Sequence, residues 1–370
     1  MLLKAAVRTK GSVSCFGESE RIMSKPKVRR YEHRRGIHCE SACQARILWT
    51  YGLDIDEDVV FGLDGGFGFT FFPAPGSAPD TVVGKQGILP FKAMRLMGVE
   101  TTSHAPRTTD GLAGLLEKHL AVLIRVDLGL LPYWGLKGQS SFGGYVINIV
   151  SRDGDDFVIS DSAFDSLQKV TSGNLQTARS SRSAAPLNPE NRAYTFSMPR
   201  RAVRLAAIGP VSVRNLCRDV LRSGSRNFGI PGMRQLIKAA RAWPAQKTGE
   251  QVEDVDARGD VVVVDALERQ LLHLGRAIET FGTGGGLYRP IMERYLWRLA
   301  EETGDDRYAT GAEYFHASGE LWSELGQALL AIGEVGVEHS AVERLAGLVV
   351  SRVGQAVEIE SRALDGLKMV

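Results

Sequence analysis

The 370-residue chain is poor in cysteine, with only four, at 15, 39, 43 and 217, and none of them stands in a CxxC pair. That usage excludes a disulfide framework and a cysteine-rich zinc site. A phosphate-binding signature is missing as well. The glycine-rich GLDGGFGF at 62–69 has no Lys-Ser/Thr ending and no strand-to-helix setting. No segment approaches the roughly 18 consecutive apolar residues of a membrane span, and the start of the chain has no apolar core followed by a small-residue cleavage site. One-sided charge is also lacking: 45 Lys and Arg against 43 Asp and Glu leave a net charge of +2. Nothing in that balance asks for a nucleic acid or an anionic membrane as partner. These absences lead us to expect a soluble, cytoplasmic protein with no metal and no cofactor.

What the chain does have is length and apolar content. Its 44% hydrophobic residues suffice for packed cores throughout, and 370 residues exceed the usual size of one domain. Residues 1–28 read as a basic, flexible leader without apolar periodicity, and Met23 is a candidate true start. From 29 to 204 short strand runs alternate with helical patterns. SACQARILWTYG at 41–52 is helical up to a glycine stop, KQGILPFKAMRLMGV at 85–99 has helical spacing, and TTDGLAGLLEKHL at 108–120 opens on a Thr/Asp cap. AVLIRVDL at 121–128 reads as a buried strand, and Tyr145 to Val150 with Phe157 to Ser160 reads as a hairpin across an Asp/Gly-rich turn. Residues 171–191, rich in Ser, Arg, Ala and Asn, read as an irregular crossing, followed by one more strand near RAYTFSMP. From 205 to 370 amphipathic patterns dominate, VVVVDALERQLLHLGRAIETF among them, so an α+β domain followed by an all-α domain is expected.

Chemistry concentrates in IHCESACQA at 37–45. A thiol reacts as its thiolate, and a helix N-terminus favours that anion, so Cys39 at a helix head is a candidate nucleophile. The bland reading is a small packed residue. Asp161, at the end of the second hairpin strand, is placed to orient a base, or is an ordinary strand-end acid. His38 adjoins Cys39, His33 lies close to it in the chain, and His104 reads as a loop residue. His119, His273, His316 and His339 fall in helical patterns and read as surface or satisfied side chains. Glu40, Asp127 and Tyr133 are candidate substrate-binding residues; Asp127 and the LPYW run at 131–134 either line a pocket or end a strand. The phenylalanines of 67–72 are expected to pack over a cleft or core.

Taken in order, HCES at 38–41, LDIDEDVVFGLDGGFGFTFFPAPG at 53–76, VLIRVDLGLLPYW at 122–134, FGGYVINIV at 142–150 and FVISDSAF at 157–164 resemble the butirosin biosynthesis acyltransferase family. RNFGIPGM at 226–233 and GGGLYRPIMERYL at 284–296 are similar to a helical domain of unknown function fused to it. The resemblance implies a papain-like domain, related to double-glycine peptidases, that moves an acyl group from a carrier-protein or other small thioester to a small-molecule amine or hydroxyl. It implies Cys39 as nucleophile and Asp161 as the orienting acid, with Tyr145 standing where the family has its base histidine. A phenol with an ordinary pKa near 10 is a poor acceptor for a thiol proton at neutral pH. The expected function is therefore acyl transfer through Cys39 with another base such as His38 or His104, or with the amine as its own base. The alternatives are binding without reaction and, less favoured, thiol hydrolysis or peptidase activity.

Overall fold

The computed structural model describes residues 28–76, 78–85, 87, 89–136, 141–199, 203–221, 224–246, 249–255, 261–332 and 339–369. The expected leader lies outside them except for Val28, as does Cys15. Helix α1 (Cys39–Thr50) starts at the first cysteine of the HCES stretch and buries Ala42, Ala45, Ile47 and Leu48. It ends where Gly52 takes φ +92°, a backbone that glycine alone adopts without steric cost. Helix α2 (Glu57–Leu63) leads into an antiparallel pair, β1 (Phe67–Phe72) and β2 (Thr81–Lys85). Short α3 (Lys92–Leu96) is all that forms from the helical pattern of 85–99.

The next six strands build one antiparallel sheet. Its members are β3 (Glu100–His104), β4 (Val122–Val126), β5 (Tyr145–Asp153), β6 (Asp156–Ser160), β7 (Gln168–Thr171) and β8 (Ala193–Ser197), in the order β3-β8-β4-β5-β6-β7. Helices α4 (Thr109–Leu116), capped by Thr108, and α5 (Ser172–Ser180) cover one face through Leu112, Leu175 and Ala178. Helix α5 corrects the reading of 171–191 as irregular. Its polar composition hides a two-residue apolar stripe, Leu175 and Ala178, and buried Arg179 donates to the Pro106 and Asn191 carbonyls.

The second half contains α6 (Leu205–Leu221), α7 (Gly229–Ala240), α8 (Ala266–Glu279), α9 (Arg289–Thr303), α10 (Asp306–Leu330) and α11 (His339–Leu367). It is not all-α. A hairpin, β9 (Gln251–Val255) with β10 (Val261–Asp265), precedes α8. The β-branched VVVV run favours extended backbone over helix, and Asp265 ends it by capping α8 at the Leu267 N–H, 2.8 Å away.

The two halves share a core. Phe67 meets Phe315 edge-on at 4.7 Å and Phe69 stacks on Trp322 at 5.7 Å, so the aromatic run of β1 packs against α10. The RNFGIPGM motif makes the other joint: the Phe71 N–H donates to the Asn227 carbonyl at 2.9 Å, and a Cβ on Gly232 would lie 2.5 Å from that same oxygen.

Candidate functional site

The head of α1 is held from below by a carboxylate. Glu57 accepts from the Ile37 N–H at 3.0 Å and the His38 N–H at 2.6 Å, satisfying donors just ahead of the helix. Burial pushes the Glu57 carboxyl up, and these two hydrogen bonds oppose the rise. In the sequence Glu57 is one acid of DIDED, which reads only as an acidic turn. His38 is the N-cap and Cys39 the first helical residue, so their side chains leave α1 on different faces.

On one face Cys39, Tyr145 and Asp161 come together. Asp161 is fully buried. Its Oδ1 accepts from the Tyr145 hydroxyl at 2.6 Å and the Ala163 N–H at 3.0 Å; its Oδ2 accepts from the Tyr133 hydroxyl at 3.0 Å and the Trp134 indole at 3.1 Å. Four donors thus satisfy this carboxylate without any cation. Burial, then the Asp161 charge, pushes the Tyr145 phenol far above its ordinary range, so it stays protonated and donates. Cys39 keeps part of its surface exposed, yet desolvation at the sulfur dominates. Burial first, and Glu40 next, push its thiol up to about 12, against smaller downward pulls from a backbone hydrogen bond at Val146 and from Lys85. The help expected from the helix N-terminus is outweighed.

The other face carries a polar centre that the sequence does not announce. Lys85, buried at the end of β2, lies 2.7 Å from Glu40 Oε2 and 3.1 Å from His38 Nε2. An ammonium only donates, so Nε2 is the acceptor toward Lys85, while Nδ1 lies 2.9 Å from Ser41 Oγ and 3.4 Å from the Ser41 N–H at the helix cap. Burial, then the Lys85 charge, holds His38 well below the ordinary imidazole range. Neither ring nitrogen is left to take a thiol proton. Glu40 also accepts from the Leu89 N–H at 2.9 Å, so the oxygen that meets Lys85 is engaged from two sides within the fold. A cavity of about 10 Å³ beside His38, Glu40, Asp64 and Lys85 has the room of a single water.

The other candidates are tied into the fold by hydrogen bonds. Asp127 is fully buried and accepts from Ser141 Oγ at 2.6 Å, Ser181 Oγ at 2.7 Å and the Phe142 N–H at 3.0 Å, tying two loops to the end of β4. Tyr133 spends its hydroxyl on Asp161. His104 bonds Thr195 Oγ1 at 2.9 Å on the edge strand β3, three strands from β5. His33 bridges Ser160 Oγ and the Phe164 carbonyl at 2.8 and 3.0 Å, pinning the segment ahead of α1. Cys43 is buried and donates to the Val146 carbonyl. Among the described residues no group of His, Cys, Asp and Glu could hold a metal, and no helix is long and apolar enough to cross a membrane.

Residues 38–162 match the family described as butirosin biosynthesis protein H, N-terminal, and residues 173–360, just over half of the chain, match a domain of unknown function, DUF4872. The chain belongs to the DUF4872 family and carries a butirosin protein H N-terminal domain ahead of it. No curated protein matches the chain. The first match runs from His38 to the residue after Asp161, so Cys39, Tyr145, Asp161, Lys85 and Glu40 all fall inside it. The second begins within α5 and therefore includes β8, which pairs inside the first domain's sheet with β3 and β4.

Proposed function

We propose that this is a protein of natural-product biosynthesis that keeps the acyltransferase architecture of the butirosin protein H domain but binds its acyl thioester without forming an acyl-Cys39 intermediate. The observation that supports this reading is the 2.6 Å hydrogen bond from Tyr145 to Asp161 at the position of the expected base. A protonated phenol that donates to a satisfied carboxylate takes no proton from a thiol, and a thiol titrating at about 12 is almost wholly protonated at neutral pH.

The second reading, acyl transfer from a carrier-protein thioester through Cys39, is favoured by one feature: Cys39 is the first residue of α1 and remains partly exposed. A thioester is already activated, so positioning lowers much of its barrier to an amine. Thiol hydrolysis or peptidase activity would need the same thiolate and gains no separate support.

Incubation of the full chain with an S-acyl pantetheine, followed by intact mass spectrometry and equilibrium dialysis, separates the readings. The expected result is saturable binding with an unmodified protein mass. An acyl adduct that disappears in Cys39→Ala would overturn the proposal in favour of acyl transfer, and absence of binding would overturn it outright.

A further inference from the structure

The turn between α8 and α9 departs from ordinary backbone over seven residues. φ is positive at Gly282, Gly284, Gly285 and Gly286, and again at Leu287 (51°) and Tyr288 (70°). Glycine visits this region freely, but side-chain-bearing residues do so only where their surroundings enforce it. The enforcement is visible. Arg289 donates to the Leu287 carbonyl at 2.7 Å, and its guanidinium forms a fully buried two-pronged pair with Glu360 at 2.8 and 3.0 Å. Ser318 and Trp322 also donate to Glu360, and the guanidinium lies over the rings of Phe67 and Trp322. The Gly286 N–H donates to Glu279 at 3.1 Å. Close approach to the first domain is equally enforced. A Cβ on Gly84 would lie 2.5 Å from Leu287 and 2.8 Å from Tyr288, and one on Gly284 would lie 2.5 Å from Ile37.

What this turn delivers is one ring. Tyr288 stands edge-on to the His38 imidazole at 5.5 Å and 88° and stacks on Phe61 at 5.5 Å and 19°. Phe61 in turn meets His38 edge-on at 5.5 Å and 85°. The Tyr288 hydroxyl takes part in no hydrogen bond among the described residues, so the contact is made by the ring. The polar groups around His38 are Lys85 from β2 and Ser41 from α1, with Glu40 beside Lys85, Glu57 of α2 on the His38 backbone N–H and Asp64 across the small cavity.

We propose that Tyr288 is a positioning residue supplied by the second domain: together with Phe61 it fixes the plane of the His38 ring so that Nε2 faces Lys85, and the polar centre of the first domain takes this geometry only while the second domain is docked. The inference holds whichever way Cys39 behaves. It makes the helical domain part of the site rather than an appendage.

The test uses the full chain with isotope-labelled histidine. Long-range nitrogen–proton spectra read the His38 tautomer and its titration, and thermal melting reads the fold separately. Tyr288→Phe, which keeps the ring, should preserve the tautomer of the unaltered chain and the depressed titration. Tyr288→Leu, which keeps apolar bulk but not the planar edge, should mix the tautomers and move the titration back up. Phe61→Leu removes the other ring from the first domain's side and should do the same. An unchanged His38 in a folded Tyr288→Leu or Phe61→Leu chain would overturn the proposal, as would a Tyr288→Phe chain whose His38 behaves like that of Tyr288→Leu.

Discussion

At the scale of single residues, the proposed function makes Tyr145 the control on Cys39. Replacing Tyr145 by His puts an imidazole between Asp161 and the thiol, where a carboxylate raises imidazole basicity and an imidazolium favours the thiolate. Alkylation of Cys39 at pH 7 is then expected to accelerate by on the order of tenfold or more; an unchanged rate would mean that the ring cluster of Trp134, Tyr133 and Phe164 keeps the new side chain from reaching the sulfur. Lys85 and Glu40 support a second prediction. Lys85→Met leaves Glu40 buried without its cation and is expected to cost about 3–5 kcal/mol of stability, whereas Lys85→Met with Glu40→Gln should recover much of that loss. Denaturant titrations of the two single variants and the double variant check it. The sequence made Cys39, Tyr145 and Asp161 legible, because an order of motifs survives the loss of one member. Lys85 was not legible. It is one lysine after TVV and G, and only the fold of β2 against α1 brings it to His38 and Glu40, 47 and 45 residues away in the chain.

At the scale of elements, strands and helices with a clear period or cap were readable: α1 with its glycine stop, α4 with Thr108, β4, and the β5–β6 hairpin. The misread segments share a cause. Helix α5 has too few apolar positions to show a period, and β10 runs straight into α8, so its four valines blend into the helical pattern that follows. The most consequential element is one that no periodicity marks, the turn ahead of α9. Its strained backbone rests on the Arg289–Glu360 pair, 0% and 1% exposed, which joins α9 to α11. Glu360→Gln removes the charge partner and leaves the guanidinium buried. A loss of about 3–5 kcal/mol is expected from chemical denaturation. A loss below about 1 kcal/mol, the range of exposed pairs, would show that the pair does not anchor the turn.

At the scale of the whole molecule the halves depend on each other. Phe61, Phe67, Phe69 and Phe71 belong to the first domain and are buried in the core that the two halves share. A fragment of residues 205–370 would expose the faces of α9 and α10 that cover those rings, and is expected to be poorly soluble or loosely folded. Circular dichroism and sedimentation of the fragment check this, and a well-folded monomer would contradict it. That dependence lets a strained turn in one domain fix a histidine in the other. On the proposed function Cys39 is a thiol without a base. Site-resolved alkylation of Cys39 in the native full chain, followed by mass spectrometry from pH 6 to pH 10, tests that claim most directly. With a thiol titrating at about 12, the rate should climb about tenfold per pH unit across the whole range without levelling. A rate that is already high at pH 6 and flat above pH 8 would reveal a base-paired thiolate and contradict the account.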